Sequence, residues 1–227
     1  MTAFDLNTDS VRELNQSLHA ASAGSGLSSV AVSNAGGRHC IAVGIDSELE
    51  VSIEGHVGYY CAGMNKLAEI YIAGNAGPGV AENIMSGTVR VKGNASQYAG
   101  ASGHGGTLII EGDASSRCGI SMKGVDIVVA GNVGHMSAFM AQKGRLVVCG
   151  DAGDFIGDSL YEAVIYVRGT VGELGADCIE KEMTAEHLAG LAQLLASTGV
   201  DAKADEFRRY GSARKLYNFN IDHADDY

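Results

Sequence analysis

The sequence predicts an all-β fold, a parallel β-solenoid. Three observations carry that expectation: a glycine that returns at a fixed interval, apolar columns in register with it, and a high glycine content. The glycine opens a step of the form "G-[HNDT]-[AV]" and falls at Gly55, Gly74, Gly93, Gly112, Gly131, Gly150 and Gly169, nineteen residues apart each time. Chance does not hold one interval through six steps, so the chain is an array of one repeated unit. With 32 glycines in 227 residues it carries about twice the usual ~7 %.

The columns define what each unit is. Four residues before the glycine stand Val51, Ile70, Val89, Leu108, Ile127, Leu146 and Ile165. Two before it stand Ile53, Ile72, Val91, Ile110, Val129, Val148 and Val167. β-branched residues and leucine at period two describe a strand with one buried face. Two residues after the glycine the chain is again apolar, and seven after it the residue is always Ala or Gly. Nineteen residues are too few for a strand plus a full helix, but they suit one coil of a solenoid stacked at about 4.8 Å. The glycine then marks a corner that needs positive φ or close backbone approach. Residues 28–46, with "HCIAVG", are expected to add an irregular eighth turn.

The flanks read differently. "TDSVRELNQSLHAA" predicts a short helix capped by Asp9 or Ser10, with Val11, Leu14 and Leu18 on one face. "MTAEHLAGLAQLLASTG" predicts a longer one, with Thr184 as cap, a stripe of Leu188, Leu191, Leu194 and Leu195, and Gly199 as the stop. Both helices are expected to cap the open ends of the solenoid. The organisation is thus 1–27 as an N-terminal helical cap, 28–178 as the β-helix, and 179–227 as a C-terminal helix and docking tail.

Composition excludes several function classes. A net charge of −11 argues against nucleic acid or an anionic membrane as partner. No window approaches the roughly 18 apolar residues of a spanning helix. "MTAFDLNTDS" has no basic head or apolar run, so no secretory signal is read there. The five cysteines are odd in number and form no CxxC pair, which speaks against a disulfide framework or a zinc knuckle. A reducing, cytoplasmic setting is expected.

Candidate chemistry is sparse. "AGNAGPG" (Ala73–Gly79) resembles a phosphate loop, but the same corner recurs in every repeat and no Gly-Lys-Ser/Thr follows. The seven histidines form no HxH or HExxH pair, and His56, His104 and His135 occupy three different columns. Cys61 and Cys118 share a column three coils apart, about 14 Å, too far to bond. Catalytic, cofactor-binding and metal-ligating residues are therefore expected to be none. Asp113, Asp151, Asp154 and Asp158 are read as turn formers.

What remains is surface. The outward column three before the glycine reads Ser52, Tyr71, Arg90, Ile109, Val128, Val147 and Tyr166. It carries no acid, as a polysaccharide-cleaving β-helix would need. Its run Ile109, Val128 and Val147 is an association hazard unless a terminal helix or another subunit covers it. The tail "FRRYGSARKLYNFNIDHADDY" mixes arginines with aromatics, a composition enriched at interfaces, although packing on its own coils explains it equally well. The interface candidates are Ile109, Val128, Val147, Arg208, Arg209, Arg214 and Tyr217.

The repeats "GHVGYYCAGMN", "GNAGPGVAENIMSG", "GNASQYAGASGHGG" and "GDASSRCGISMKG" resemble the glycine-repeat (GXGXG) β-helix domain that closes the large subunit of glutamate synthase. Standing alone, with "ADCIEKEM" and "RRYGSARKLYNFN", the chain is most similar to the small β-helix subunit of bacterial N-methylglutamate synthases. The resemblance covers nearly the whole chain. It implies a right-handed β-helix without catalytic residues that braces two partners in a hetero-oligomer. One is a glutaminase-like amidotransferase subunit; the other is an FMN-binding glutamate synthase-like subunit, usually with an iron–sulfur cluster. The chain itself would bind no cofactor. The reaction served would convert glutamate and methylamine to N-methylglutamate and ammonia. An alternative resemblance is to the scaffold subunit of formylmethanofuran dehydrogenase and formyltransferase/hydrolase complexes, which shares the repeats.

Overall fold

The computed structural model describes residues 2–21 and 26–216. In chain order these form β1 (Thr2–Asp5), α1 (Val11–Ala20), β2 (Ser29–Ser33), β3 (Glu50–Ile53), β4 (Glu69–Ile72), β5 (Thr88–Val91), β6 (Thr107–Ile110), β7 (Lys123–Val129), β8 (Lys143–Val148), β9 (Val164–Val167), β10 (Cys178–Lys181), α2 (Ala185–Thr198) and β11 (Arg208–Ser212). All eleven strands join one sheet in the order β1-β2-β3-β4-β5-β6-β7-β8-β9-β11-β10. From β1 to β9 every pairing is parallel, so the chain is a parallel β-helix.

The period sets the register. Val89 aligns with Leu108, and Leu108 with Ile127, so each inward aliphatic lies directly over its counterpart one repeat away. The two inward columns are buried from β3 to β9 and form a single core that runs from Leu6 and Leu14 through to Tyr210. A second ladder links Val57, Ala76, Ala95, Ala114, Val133, Ala152 and Val171 by single parallel bridges. It explains the apolar position two residues past the glycine.

In the turn region of each coil, left-handed residues recur at every second position. In successive coils these are Tyr60, Ala62 and Met64, then Gly79, Ala81 and Asn83, then Tyr98, Gly100 and Ser102. Non-glycine residues adopt this conformation at a cost. Here inter-coil bonds over-determine it: the Ala81 N–H donates to Cys61 O at 2.9 Å, and the Met64 N–H to Glu82 O at 2.8 Å. The middle residue of each trio points inward where space is short. A Cβ on Gly100 would lie 2.6 Å from Ile127 Cδ1, which is why that column holds only Ala and Gly.

The corner glycine serves close approach more than positive φ. The residue after it folds its side chain across the next coil and accepts that coil's backbone N–H. Asn94 N–H donates to Asn75 Oδ1 at 2.8 Å, Asp113 N–H to Asn94 Oδ1 at 2.9 Å, and Asp151 N–H to Asn132 Oδ1 at 2.8 Å. His56 begins this ladder with Nδ1 and Asp151 ends it by accepting from Thr170 N–H. A Cβ on Gly112 would sit 2.2 Å from Asn94 Oδ1, so a side chain there expels the acceptor. Asp113 and Asp151, read from sequence as turn formers, instead bond the next coil; Asp154 and Asp158 likewise accept from Glu173 and Ala176 N–H.

Residues 28–46 do form an additional coil, of different length: Val30 aligns with Val51, twenty-one residues on. Its open end is closed by α1. Ser10 is the cap, with Glu13 completing a capping box. Leu14 and Leu18 enter the core. Asn15 then stands in for a neighbouring coil, donating to Cys40 O at 2.8 Å and accepting from Ala42 N–H at 2.9 Å.

The other end is closed in a different way from that expected. Strand β11 pairs antiparallel with β9, β10 pairs antiparallel with β11, and Tyr210 aligns with Ile165 to cover the last inward position. Charged Glu180 and Lys181 lie on the outermost strand, a common guard against further pairing. Helix α2 does not cap this end. It lies on the flank of the sheet.

Candidate interface surfaces

The outward strip is where α2 goes. Val128, Val147, Cys149 and Tyr166 pack with Leu191, Leu194, Leu195 and Phe207 into a second apolar cluster, separate from the solenoid core. Ile109 is also buried, at 2 % exposure. Ile109, Val128 and Val147 were candidates for a partner interface; the structure corrects this. Their apolar area is already removed from water inside the chain, and the hazard read from the sequence is met by the chain's own helix.

Polar anchors fix where α2 lies. Thr184 caps its first turn, and Gly199, at φ 68°, ends it. Arg145 holds Asp126 through Nε at 2.7 Å and reaches Gly190 O at 3.1 Å. That carboxylate holds the Arg145 pKa above its ordinary value. Arg90 donates to Thr198 O at the C-terminus of α2 and to Glu111 at 3.0 Å, so a sheet residue supplies the positive charge the helix end lacks. At the N-terminal end, Arg209 contacts His187 Nε2 at 3.0 Å. Burial, and then that guanidinium, keep the imidazole less basic than usual.

The tail arginines are likewise engaged with their own coils. Arg208 donates to Gly169 O at 2.8 Å and stands 5.9 Å from the Tyr210 ring centroid. Arg209 donates to Glu182 O at 2.8 Å, and Arg214 pairs with Glu162 at 3.0 Å. Phe207 and Tyr210 are buried against the rest of the chain, whereas Arg208, Arg214, Lys215 and Leu216 remain exposed. Tyr217 lies outside the described residues. Asp177 ties this segment down: it accepts from Ser212 Oγ and from the Lys215 N–H. Burial alone would raise its pKa, but these bonds outweigh burial and hold the carboxyl below the usual range. The seven candidates are thus not brought together. Val128 and Val147 lie beneath α2, Ile109 is buried beside its last turn at the edge of a cleft, and Arg208, Arg209 and Arg214 sit on or beyond β11.

The buried thiols are poor nucleophiles. Burial pushes Cys118 up to about 12 and Cys61 higher still, and Cys178 reaches about 12 through burial and the nearby Asp177 and Asp158. The thiolate is the reactive form, so these side chains act as core residues at neutral pH. Among the described residues no group of three His, Cys, Asp or Glu side chains is placed to hold a metal ion. No helix among them is long and apolar enough to cross a membrane.

Two features escaped the sequence reading. The ladder of Asn and Asp acceptors was already visible as the second position of "G-[HNDT]-[AV]", a column of short polar side chains too regular for independent turns. The anchoring of α2 by Arg90 and Arg145 had no such signal, because the helix returns over residues about 45 and 108 positions earlier.

No family model matches the chain. It is 63% identical over 228 residues to Protein GlxC of Rhizobium meliloti (strain 1021), covering 100% of both chains.

Proposed function

The chain belongs to the same family as that GlxC protein, and from this premise we propose that it is a non-catalytic structural subunit of a glutamate synthase-like complex, N-methylglutamate synthase in particular. It braces a glutaminase-like amidotransferase subunit against an FMN-binding synthase subunit. FMN and an iron–sulfur cluster reside in the latter, and the assembly works in the cytoplasm. The complex converts glutamate and methylamine to N-methylglutamate and ammonia.

One observation carries the reading: a parallel β-helix whose nineteen-residue glycine repeats, from Gly55 to Gly169, resemble those of the glycine-repeat domain of glutamate synthases. The inventory of side chains supports it. The cysteines of the core are buried and protonated, the corner carboxylates of the repeats bond backbone N–H groups of the next coil, and five arginines are tied into ion pairs. A rigid stack of this kind offers long, fixed flanks on which two partners can be held at one spacing.

The test is co-purification of the tagged full-length chain with its neighbours from the native host. A yellow, FMN-bearing partner together with an amidotransferase-like chain is the expected result, with N-methylglutamate formed by the complex and not by the isolated chain. A zinc amidohydrolase partner would instead assign the scaffold to formyl transfer. Turnover of any polymer by the isolated chain would overturn the scaffold reading altogether.

A further inference from the structure

We propose that the bare outer face of β2–β4 is a docking surface for a basic segment, bearing lysine or arginine, of a partner polypeptide. The inference rests on the chain being a subunit of a complex, but not on which complex.

The first ground is shape. Helix α2 covers the outward face of the sheet from β9 back to Arg90 and ends there. Beyond its last turn the same face continues uncovered as two adjoining clefts of about 470 and 310 Å³ that share Ser52 and Tyr71. Ser197 of α2 lines the first, and Ala31 lies on the floor of the second. The slot therefore prolongs the line that a helix of this chain already occupies.

The second ground is charge. Glu50 and Glu69 line the first cleft and Glu54 the second. All three are exposed, and none has an ion-pair or hydrogen-bond partner for its carboxylate among the described residues. By contrast, Glu111, Asp126, Glu162, Glu180 and Glu206 each face an arginine. Among the described residues the only cation lining the two clefts is Arg90, and it is taken by Glu111 and Thr198 O. A recess with three like charges and no internal counter-charge is complementary to a cationic segment. Two copies meeting through this face would bring like charges together, which disfavours a self-complementary contact.

The test uses the isolated full-length chain and, as probe, a helical peptide of alternating lysine and alanine, coupled by carbodiimide at low salt and mapped by mass spectrometry. Coupling at Glu50, Glu54 and Glu69 is expected to exceed that at exposed Glu173 and Glu182 on the order of tenfold. The double variant Glu50→Lys with Glu69→Lys should weaken peptide binding by about tenfold, whereas Glu173→Lys with Glu182→Lys, of equal net charge, leaves it within about twofold. Glu50→Gln with Glu69→Gln serves as a milder pair should reversal disturb the fold. Coupling spread evenly over the exposed carboxylates, or equal loss in the control pair, overturns the proposal. So does a wild-type dimer that dissociates in the Glu50→Lys, Glu69→Lys variant, because the face would then belong to a second copy. Failure to co-purify an FMN-bearing partner, by contrast, removes the assignment of the complex and leaves this result standing.

Discussion

Two stretches of one outward column behave as if they belonged to different proteins. In β7–β9 the column reads Val128, Val147 and Tyr166 and is buried under α2; in β2–β4 it reads Ala31, Ser52 and Tyr71 and faces open clefts, with the buried Ile109 of β6 at the boundary. The strands are parallel throughout, and the coils keep nearly the same register. What differs is the reach of one helix, which is set at Gly190 by Arg145 and at Thr198 by Arg90. The solenoid is uniform along its axis, and its individuality is added from outside. A repeated backbone makes equivalent surfaces, and only a non-repeated segment can distinguish them.

The sharpest way to break that comparison is to place a charge on either side of one strand. Val129→Asp puts a carboxylate into the inward ladder, where Ile110 and Val148 stand above and below it. An uncompensated buried charge costs at least about 3–5 kcal/mol, a large share of the about 5–15 kcal/mol that holds a domain together. Loss of the cooperative β signal in circular dichroism is the expected result; a folded variant would mean the inward and outward faces have been exchanged.

Val128→Asp should cost less, because α2 can lift away and let the carboxylate reach water. The loss is expected at about 3 kcal/mol or below, with the coils intact. Limited proteolysis should then cut within 185–198 while the β signal persists. Unfolding together with the coils would show that α2 is integral to the stack.

Arg90→Ala removes the donor to Thr198 O and the partner of Glu111. Both contacts are partly exposed, so the expected cost is only about 1 kcal/mol. Hydrogen exchange should rise in the last turn of α2 and remain unchanged at Gly190. At the bottom of the scale, Ser52→Asp lies in the same column as Val128 but on the uncovered half, and should change stability by less than about 0.5 kcal/mol. A melting temperature lowered as far as by Val128→Asp would erase the distinction between the halves.

The ends of the stack repeat the lesson. The β-helix and its register were legible because periodicity is a local property written once per coil: the columns through Val89, Leu108 and Ile127 needed no knowledge of distant contacts. The helices were legible too, with Thr184 and Gly199 marking α2. Their destinations were not. Helix α1 caps an end as expected, yet α2 covers a flank, and antiparallel β11 and β10 close the other end. Leu14 and Leu191 are both apolar stripes on short helices, and nothing in a stripe says whether it meets an open end or a sheet face.

The candidate surface divides along the same line. The hydrophobic outward run could be found by counting columns, and so could the need to cover it. That Ile109, Val128 and Val147 are covered from within, while the unpaired Glu50, Glu54 and Glu69 surround what is left open, depends on where a returning chain comes to rest. By itself the sequence determined the repeat, the ladders, the inward faces and the corner glycines, since each follows from spacings of a few residues. Only the tertiary structure decided which flank is covered and which is bare, because docking energy depends on contacts between segments far apart in the chain, and these leave no period to read.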